Sequence, residues 1–414
     1  MSEFAALFLG AAVLVLYGAV SRRQVASYLT GPMLFVAIGA AAGFVLQNGG
    51  PRAADISHIR LLGELTLAIV LFTDSAHLKP KHLLQEESWP ARMLFIGLPL
   101  VILSGAALAY VLFPGWPLWL AVLAGLILSP TDAALGRFIL EDQDVPEPLR
   151  ETLNAESGLN DGFALPPILI LLALAGGGMG LAYDESALTL ARHLVLGPLC
   201  GVVIGFSGGK LIDYAARRGW MQPLYQRLAA PALAVLAYAG AELIHANGFI
   251  AAYVAGLMIP LTVCLSAQKY LKEFSQTEAE LLTLIMFFLF GLLIVPLGAE
   301  AWSGTMVLYA LASLTIIRVL PIMASLTGTG LGWRSKGILA WFGPRGIASI
   351  LYLLLAFETL GPGNAFTELA GLVSLTVLLS IYAHGLSAVP LARAYAAHAE
   401  RIELPLRRAR KKPE

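Results

Sequence analysis

Charged side chains are scarce in this sequence. Asp, Glu, Lys and Arg make up 13% of its 414 residues, against roughly 25% in soluble globular domains. Together with 58% hydrophobic residues and a mean hydropathy of +0.76, this excludes an ordinary soluble enzyme. Neither sign is in excess, with 27 basic and 27 acidic residues, so no basic footprint for nucleic acid is visible. There are only two cysteines, Cys200 and Cys264, each inside an apolar stretch. Two such thiols make neither a disulfide framework nor a zinc site. The chain also lacks HExxH and any protease-like pair of aspartates, which argues against an intramembrane metalloprotease or aspartyl protease. Met1, Ser2 and Glu3 lead into apolar sequence without a basic segment, so no cleaved signal peptide is expected.

What the sequence has instead is long apolar runs. A bilayer core of about 30 Å takes about 20 apolar residues per helix. Thirteen segments fit, centred on residues 4–20, 28–46, 61–78, 91–112, 117–139, 152–175, 188–210, 229–245, 248–264, 281–298, 303–326, 336–356 and 366–389. Runs such as LLTLIMFFLFGLLIV (281–295) lack the alternation of a barrel strand. The expected fold is therefore an all-α polytopic membrane protein of about 13 transmembrane helices. Cytoplasmic loops concentrate Lys and Arg. With the N-terminus outside, alternate loops and the C-terminal tail collect 22 of the 27 basic residues, while Arg52 and Arg60 fall outside and Arg192 near the outer end of the seventh span. The expected topology is N-out and C-in, with residues 391–414 a short basic cytoplasmic tail suited to anionic lipid.

Ionisable groups at mid-membrane cost several kcal/mol unless paired or hydrated, about 2.5–3.5 kcal/mol on insertion scales, and so mark functional sites. The densest group lies in the fifth and sixth spans, in SPTDAALG (129–136) and NAESGLNDGFALPP (154–167). On a helix, Ser157 shares a face with Asp161, and Glu156 with Asn160. Hard oxygens without His or Cys suit a hard cation rather than zinc or copper. Pro130 precedes Thr131 and Asp132, and the twelfth span carries a second break at Gly343-Pro344-Arg345-Gly346. Proline inside a helix removes a backbone hydrogen bond, and matched broken helices point to a transporter's ion site. Spans five and twelve are an odd number apart, so they cross in opposite senses, as an inverted repeat requires. Asp132, Glu156 and Asp161 against Arg318 and Arg345 leave one net negative charge, which calls for one monovalent cation or one proton. Arginine does not deprotonate in proteins, so the proton carrier is expected among the carboxylates. The spacing leaves open which arginine pairs with which acid.

At these residues the sequence resembles the monovalent cation:proton antiporter-1 family of sodium/proton exchangers, over essentially the whole chain. Thr131-Asp132 resembles the family's TD pair, and Glu156-Ser157-x-x-Asn160-Asp161 its ESxxND signature. Arg318 in LTIIRVLPIM matches an eleventh-span basic position, and WFGPRGIAS (341–349) resembles a W-G-x-R-G segment. The resemblance implies that Asp161 binds either the proton or the metal ion, with Thr131, Asp132, Ser157 and Glu156 completing or supporting the oxygen cage. Asn160 and Arg318 stand where electrogenic relatives carry Asp and Lys, which implies electroneutral one-for-one exchange. The family fold is of the NhaA/NhaP type, with inverted repeats and two crossed broken helices. It implies core helices at about 91–175 and 303–389, dimerisation or scaffold helices at about 4–78 and 229–298, and a linker helix at about 188–210. A homodimer in the cell (inner) membrane follows from the same likeness, with membrane lipid around it, no cofactor beyond the transported cation and H⁺, and no nucleic-acid partner. One departure is Ala133 after Asp132, where many relatives have proline.

The favoured function is exchange of a monovalent cation, Na⁺ first and then Li⁺ or K⁺, for H⁺. A sodium-coupled symporter of an organic solute is the alternative, opposed by three acids in the core. Open conduction is opposed by the two arginines. Asp74 is placed at the membrane interface, as are Glu242 and His245, and Glu64 near the other end of the third span. His77 and His82 flank lysines in a loop, and small-xxx-small spacings are too common in membrane helices to assign a dimer contact.

Overall fold

The computed structural model describes residues 3–24, 29–46, 53–77, 89–132, 135, 145–176, 183–264, 279–361 and 363–410. The regular structure among them is helical. The helices are α1 (Glu3–Gln24), α2 (Gly31–Leu46) and α3 (Ala53–His77), then α4 (Trp89–Leu112) and α5 (Leu118–Ile127). Next come α6 (Glu147–Gly176), α7 (Tyr183–Arg217), α8 (Pro223–Leu243) and α9 (Gly248–Thr262). They are followed by α10 (Ala279–Ala299) and α11 (Gly304–Ser325), and by α12 (Trp333–Trp341), α13 (Ile347–Leu360) and α14 (Asn364–Arg410). The apolar segments of the sequence overlap these helices, the fifth only over Leu118–Ile127 and the twelfth on the broken pair α12 and α13. Five of the described helices (α4, α10, α11 and stretches of α7 and α14) are long and apolar enough to cross a bilayer, and shorter apolar helices supplement them. Lys79, Lys81, His82, Ala133, Arg137, Lys269 and Lys272 lie outside the described residues, as does most of the expected 140–150 connection.

Local sequence explains the irregular turns. α4 and α10 each contain one wide π-turn, Met93–Gly97 and Phe290–Ile294. Each turn ends two residues before a proline, Pro99 or Pro296. Proline cannot donate to the preceding turn, and widening the turn re-spaces the bonds around it. α11 is interrupted at Thr315, which leaves helical geometry with φ −115° and ψ −90°. α14 continues beyond residue 390, so the segment read as a tail prolongs this helix through Arg410.

Small residues set the closest packing. Gly197, Gly201, Gly205 and Gly209 lie one turn apart on α7 and face Asn247, Ala251, Ala255 and Thr262 at or along α9. Gly256 of α9 faces the Phe72 carbonyl and Ser75 on α3, while Gly39 and Gly43 of α2 interlock with α10 around Gly291. Lipid tails are as apolar as Leu, so helices in a bilayer associate by such close backbone contact. The small-residue spacings therefore serve packing within the chain. Leu103, Val111, Leu199, Phe206, Leu308 and Leu311 are exposed, as lipid-facing side chains are.

Candidate functional site

The site begins where α5 stops. Pro130 disfavours helical geometry in the residue before it, and the helix ends at Ile127, three residues earlier. After a last turn bond from the Ser129 amide to the Leu126 carbonyl at 3.3 Å, residues 130–132 run without helical bonding. A second unwound stretch, 342–346, separates α12 from α13. It starts with a tight turn at Phe342 (φ −77°, ψ 68°), in which the Gly343 amide donates to the Trp341 carbonyl at 2.7 Å. These angles are those of an inverse γ-turn.

The two stretches cross and satisfy one another. The Asp132 amide donates to the Pro344 carbonyl at 2.8 Å. The Asp132 carboxylate accepts from the Ile347 amide, also at 2.8 Å, and so caps the N-terminus of α13. In return, Arg345 donates to the carbonyls of Ser129 (3.1 Å) and Pro130 (3.4 Å) and to that of Gly343 (3.2 Å). Ser349 Oγ donates to the Ile127 carbonyl at 2.7 Å. An anion at a helix N-terminus and a cation at a helix C-terminus each oppose the helix dipole. In lipid there is no water to satisfy the orphaned groups, so these side chains substitute for it. The WFGPRG glycines follow from the same crowding. A Cβ on Gly346 would collide with the Asp132 carboxylate, and one on Gly343 with the Arg318 guanidinium.

α6 supplies the rest. Ser157 Oγ donates to the Thr131 carbonyl at 2.8 Å, and the Asn160 amide to Thr131 Oγ1 at 2.6 Å. Glu156 and Arg318 form a two-pronged ion pair at 2.6 and 2.8 Å, with both residues almost fully buried. The pairing left open by the sequence is thus settled: Arg318 takes Glu156, while Arg345 takes backbone carbonyls. Asp161 is buried, and its Oδ1 has no hydrogen-bond partner. Its backbone carbonyl accepts from the Tyr352 hydroxyl at 2.8 Å. The Tyr253 hydroxyl, from α9, is also buried and without a partner.

The structure therefore brings Thr131, Asp132, Ser157, Asn160 and Asp161 together around the crossing, with Glu156, Arg318 and Arg345 behind them. The sequence reading did not single out Tyr253 and Tyr352, and it set Asp74 apart from the site. Asp74, read as interfacial, is half-buried on α3, and its negative charge adds to that around Asp161. The signal available was an acid one turn from the end of an apolar segment, which is also what an interfacial residue looks like. Glu242 is held at a helix junction, accepting from the Gly248 amide at 2.9 Å, and Glu64 accepts from the Tyr238 hydroxyl at 2.9 Å. Among the described residues, no cluster of three or more His, Cys, Asp or Glu has the arrangement of a metal-binding group. Most of the oxygens gathered here instead come from Thr, Ser, Asn and the backbone.

A multi-pass helical protein that keeps carboxylates buried at the crossing of two unwound stretches is, as a class, a secondary transporter. The profile of the sodium/hydrogen exchanger transmembrane family matches residues 9–394, and the chain belongs to that family. It is 27% identical over 366 residues to the Na⁺/H⁺ antiporter NhaP of Pseudomonas aeruginosa, covering 83% of this chain and 82% of that one. It is 25% identical over 372 residues to the K⁺/H⁺ antiporter NhaP of Alkalimonas amylolytica, covering 87% of this chain but only 62% of the relative's length. The fold matches the sodium proton antiporter MjNhaP1 of Methanocaldococcus jannaschii at pH 8 with a TM-score of 0.77 and 19% identity, over 95% of this chain and 99% of that one.

Proposed function

We propose that the protein exchanges one monovalent cation, Na⁺ before Li⁺ or K⁺, for one H⁺ across the membrane by alternating access. The observation that carries this is the distribution of charge at the crossing. Glu156 and Arg318 neutralise each other at 2.6 Å. Asp132, through Oδ2, and Arg345 serve opposite helix ends. Asp161 keeps a buried carboxylate oxygen without a hydrogen bond. A proton or a cation on Asp161 discharges the same site, so the two compete, and competition at one carboxylate couples their movements. The cation ligands would be Asp161, Asp132, Thr131 and Ser157, with Asp74 adding negative charge at the approach. Glu156, Asn160, Arg318 and Arg345 hold that cage in shape. Asn160 in place of a second acid supports electroneutral exchange. The N-out, C-in topology with thirteen crossings, the division into core and scaffold and the homodimer belong to the same proposal.

Relatives named for Na⁺ and for K⁺ both occur among the similar proteins, so the ion is decided by transport. The test uses proteoliposomes with an internal pH dye, to which Na⁺, Li⁺ or K⁺ is added with and without a voltage clamp. Proton efflux on Na⁺ addition that ignores the clamp is the expected result. A response to K⁺ alone keeps the mechanism and changes the substrate. Proton movement that collapses under the clamp overturns electroneutrality, and none with any cation overturns exchange.

A further inference from the structure

The unwound stretch 342–346 is gripped at both ends by a single face of α14. Ser380, His384 and Ser387 lie on that face, at the one- and two-turn spacings of a helix. The Ser380 hydroxyl accepts from the Arg345 amide at 2.6 Å. His384 Nε2 sits 3.0 Å from the Trp341 carbonyl. Ser387 Oγ accepts from the Trp341 indole at 3.0 Å. His384 is almost fully buried, and its ring lies 5.2 Å from that of Trp341.

The hydrogen bonds place a proton on Nε2 of this ring. A carbonyl oxygen only accepts, so Nε2, whose partner is the Trp341 carbonyl, carries a proton. Nδ1 has two neighbours on its own helix, the Ser380 carbonyl at 3.0 Å and the Ser380 hydroxyl at 3.2 Å. The hydroxyl already accepts from the Arg345 amide, and its own proton is available for Nδ1. The charges acting on His384 are those of Arg345 on the unwound stretch and Arg318 on α11, both positive. A second proton, on Nδ1, would face the Ser380 carbonyl but would place a cation in a buried position beside two guanidiniums. The neutral ring with its proton on Nε2 avoids that charge and still links the Arg345 amide, the Ser380 hydroxyl and the Trp341 carbonyl.

We propose that His384, as the neutral Nε2–H tautomer and acting through Ser380, is a positioning residue that locks the unwound stretch and thereby sets the affinity of the cation cage. The link runs through bonds already described. The locked stretch presents the Pro344 carbonyl to the Asp132 amide and the Arg345 side chain to the carbonyls of Ser129 and Pro130. If the stretch shifts, Asp132 and the α5 carbonyls shift with it. The inference rests on the exchange reading above.

The test compares His384→Leu, His384→Gln and Ser380→Ala with wild type. Half-saturating cation concentration and maximal rate are measured in proteoliposomes, thermal unfolding in detergent, and amide exchange over residues 342–346. His384→Leu should raise the half-saturating concentration by about fivefold or more, a loss of roughly 1 kcal/mol in binding, and speed amide exchange at 342–346. His384→Gln, which retains a donor for Trp341, should stay within about twofold, and Ser380→Ala should move in the direction of His384→Leu. An unchanged half-saturating concentration in His384→Leu overturns the proposal, as does equal failure of the Leu and Gln variants. ¹⁵N spectra of the wild-type ring, assigned by the signal lost in His384→Gln, provide a readout independent of transport and of the Leu variant's folding. An Nδ1–H or doubly protonated ring overturns the proposal. Wild-type protein that moves no protons with any cation defeats the exchange reading instead, while spectra and amide exchange still decide the grip on the stretch.

Discussion

The α7–α9 seam and the crossing of the two unwound stretches both bring backbones close together in lipid, by opposite means. At the seam the chain stays helical, backbone groups pair within their own helix except the carbonyls that face Pro198 and Pro260, and a glycine at every fourth position of α7 suffices. At the crossing the helices stop, their end groups have no partner of their own, and charges are brought in to serve them: Asp132 at the start of α13 and Arg345 at the end of α5. The comparison teaches that charge in this protein follows unwound backbone. Glu156 and Arg318 sit within helices and neutralise each other; Asp161 also sits within a helix, α6, but its Oδ1 serves no neighbour. The odd charge is the one available to a travelling ion.

The largest expected effect comes from removing that odd charge. Asp161→Asn should abolish cation-driven proton movement while leaving an assembled protein, checked by transport and by size-exclusion chromatography of the same preparation. Full exchange in this variant would erase the distinction between Asp161 and its neighbours. Next is the ion pair behind the crossing. Glu156→Ala strands the Arg318 guanidinium and should cost about 3–5 kcal/mol of stability, read as a fall in thermal midpoint. Replacing Arg318 by Gln in the same chain should recover much of it, since two contacting residues do not add independently. Equal loss in single and double variants would show that the pair does not hold the core.

Gly346→Ala is the sharpest probe of the crossing alone. Its new methyl meets the Asp132 carboxylate, so the half-saturating cation concentration should rise by about tenfold, with a smaller change in thermal midpoint. At the seam the outcome should reverse. Gly201→Leu forces α7 off the Ala251 backbone and should destabilise by about 1–3 kcal/mol, leaving half-saturation in the surviving protein unchanged. The smallest effect belongs to Gly337→Ala, where a methyl has nothing within 4 Å. That helix position should gain roughly 0.5–1 kcal/mol without altering transport.

Much of this was legible in the sequence because the bilayer makes it so. Apolar runs of the right length fall on helices, and acids interrupting those runs (Asp132, Glu156, Asp161) converge on one place. Pro130 and Gly343-Pro344 marked both breaks, although α5 ends three residues ahead of its proline. Less legible were the pairings. Glu156 and Arg318 are 162 residues apart, and no spacing rule reaches across that distance. Tyr253, Tyr352 and His384 belong to amphipathic types that membrane helices carry for many reasons. Only packing shows that the Tyr352 hydroxyl holds the Asp161 carbonyl, or that His384 reaches Trp341.

The most direct test of competition at one carboxylate is the half-saturating Na⁺ concentration for exchange, measured across a series of pH values with the voltage clamped. Asp74, Asp132 and Glu156 act on Asp161, but only one proton should be displaced per cation. The half-saturating concentration should then rise by about tenfold for each unit of acidification below the site's titration. A rise of about a hundredfold per unit would mean that two carboxylates are discharged together. A concentration that does not change with pH would contradict competition altogether.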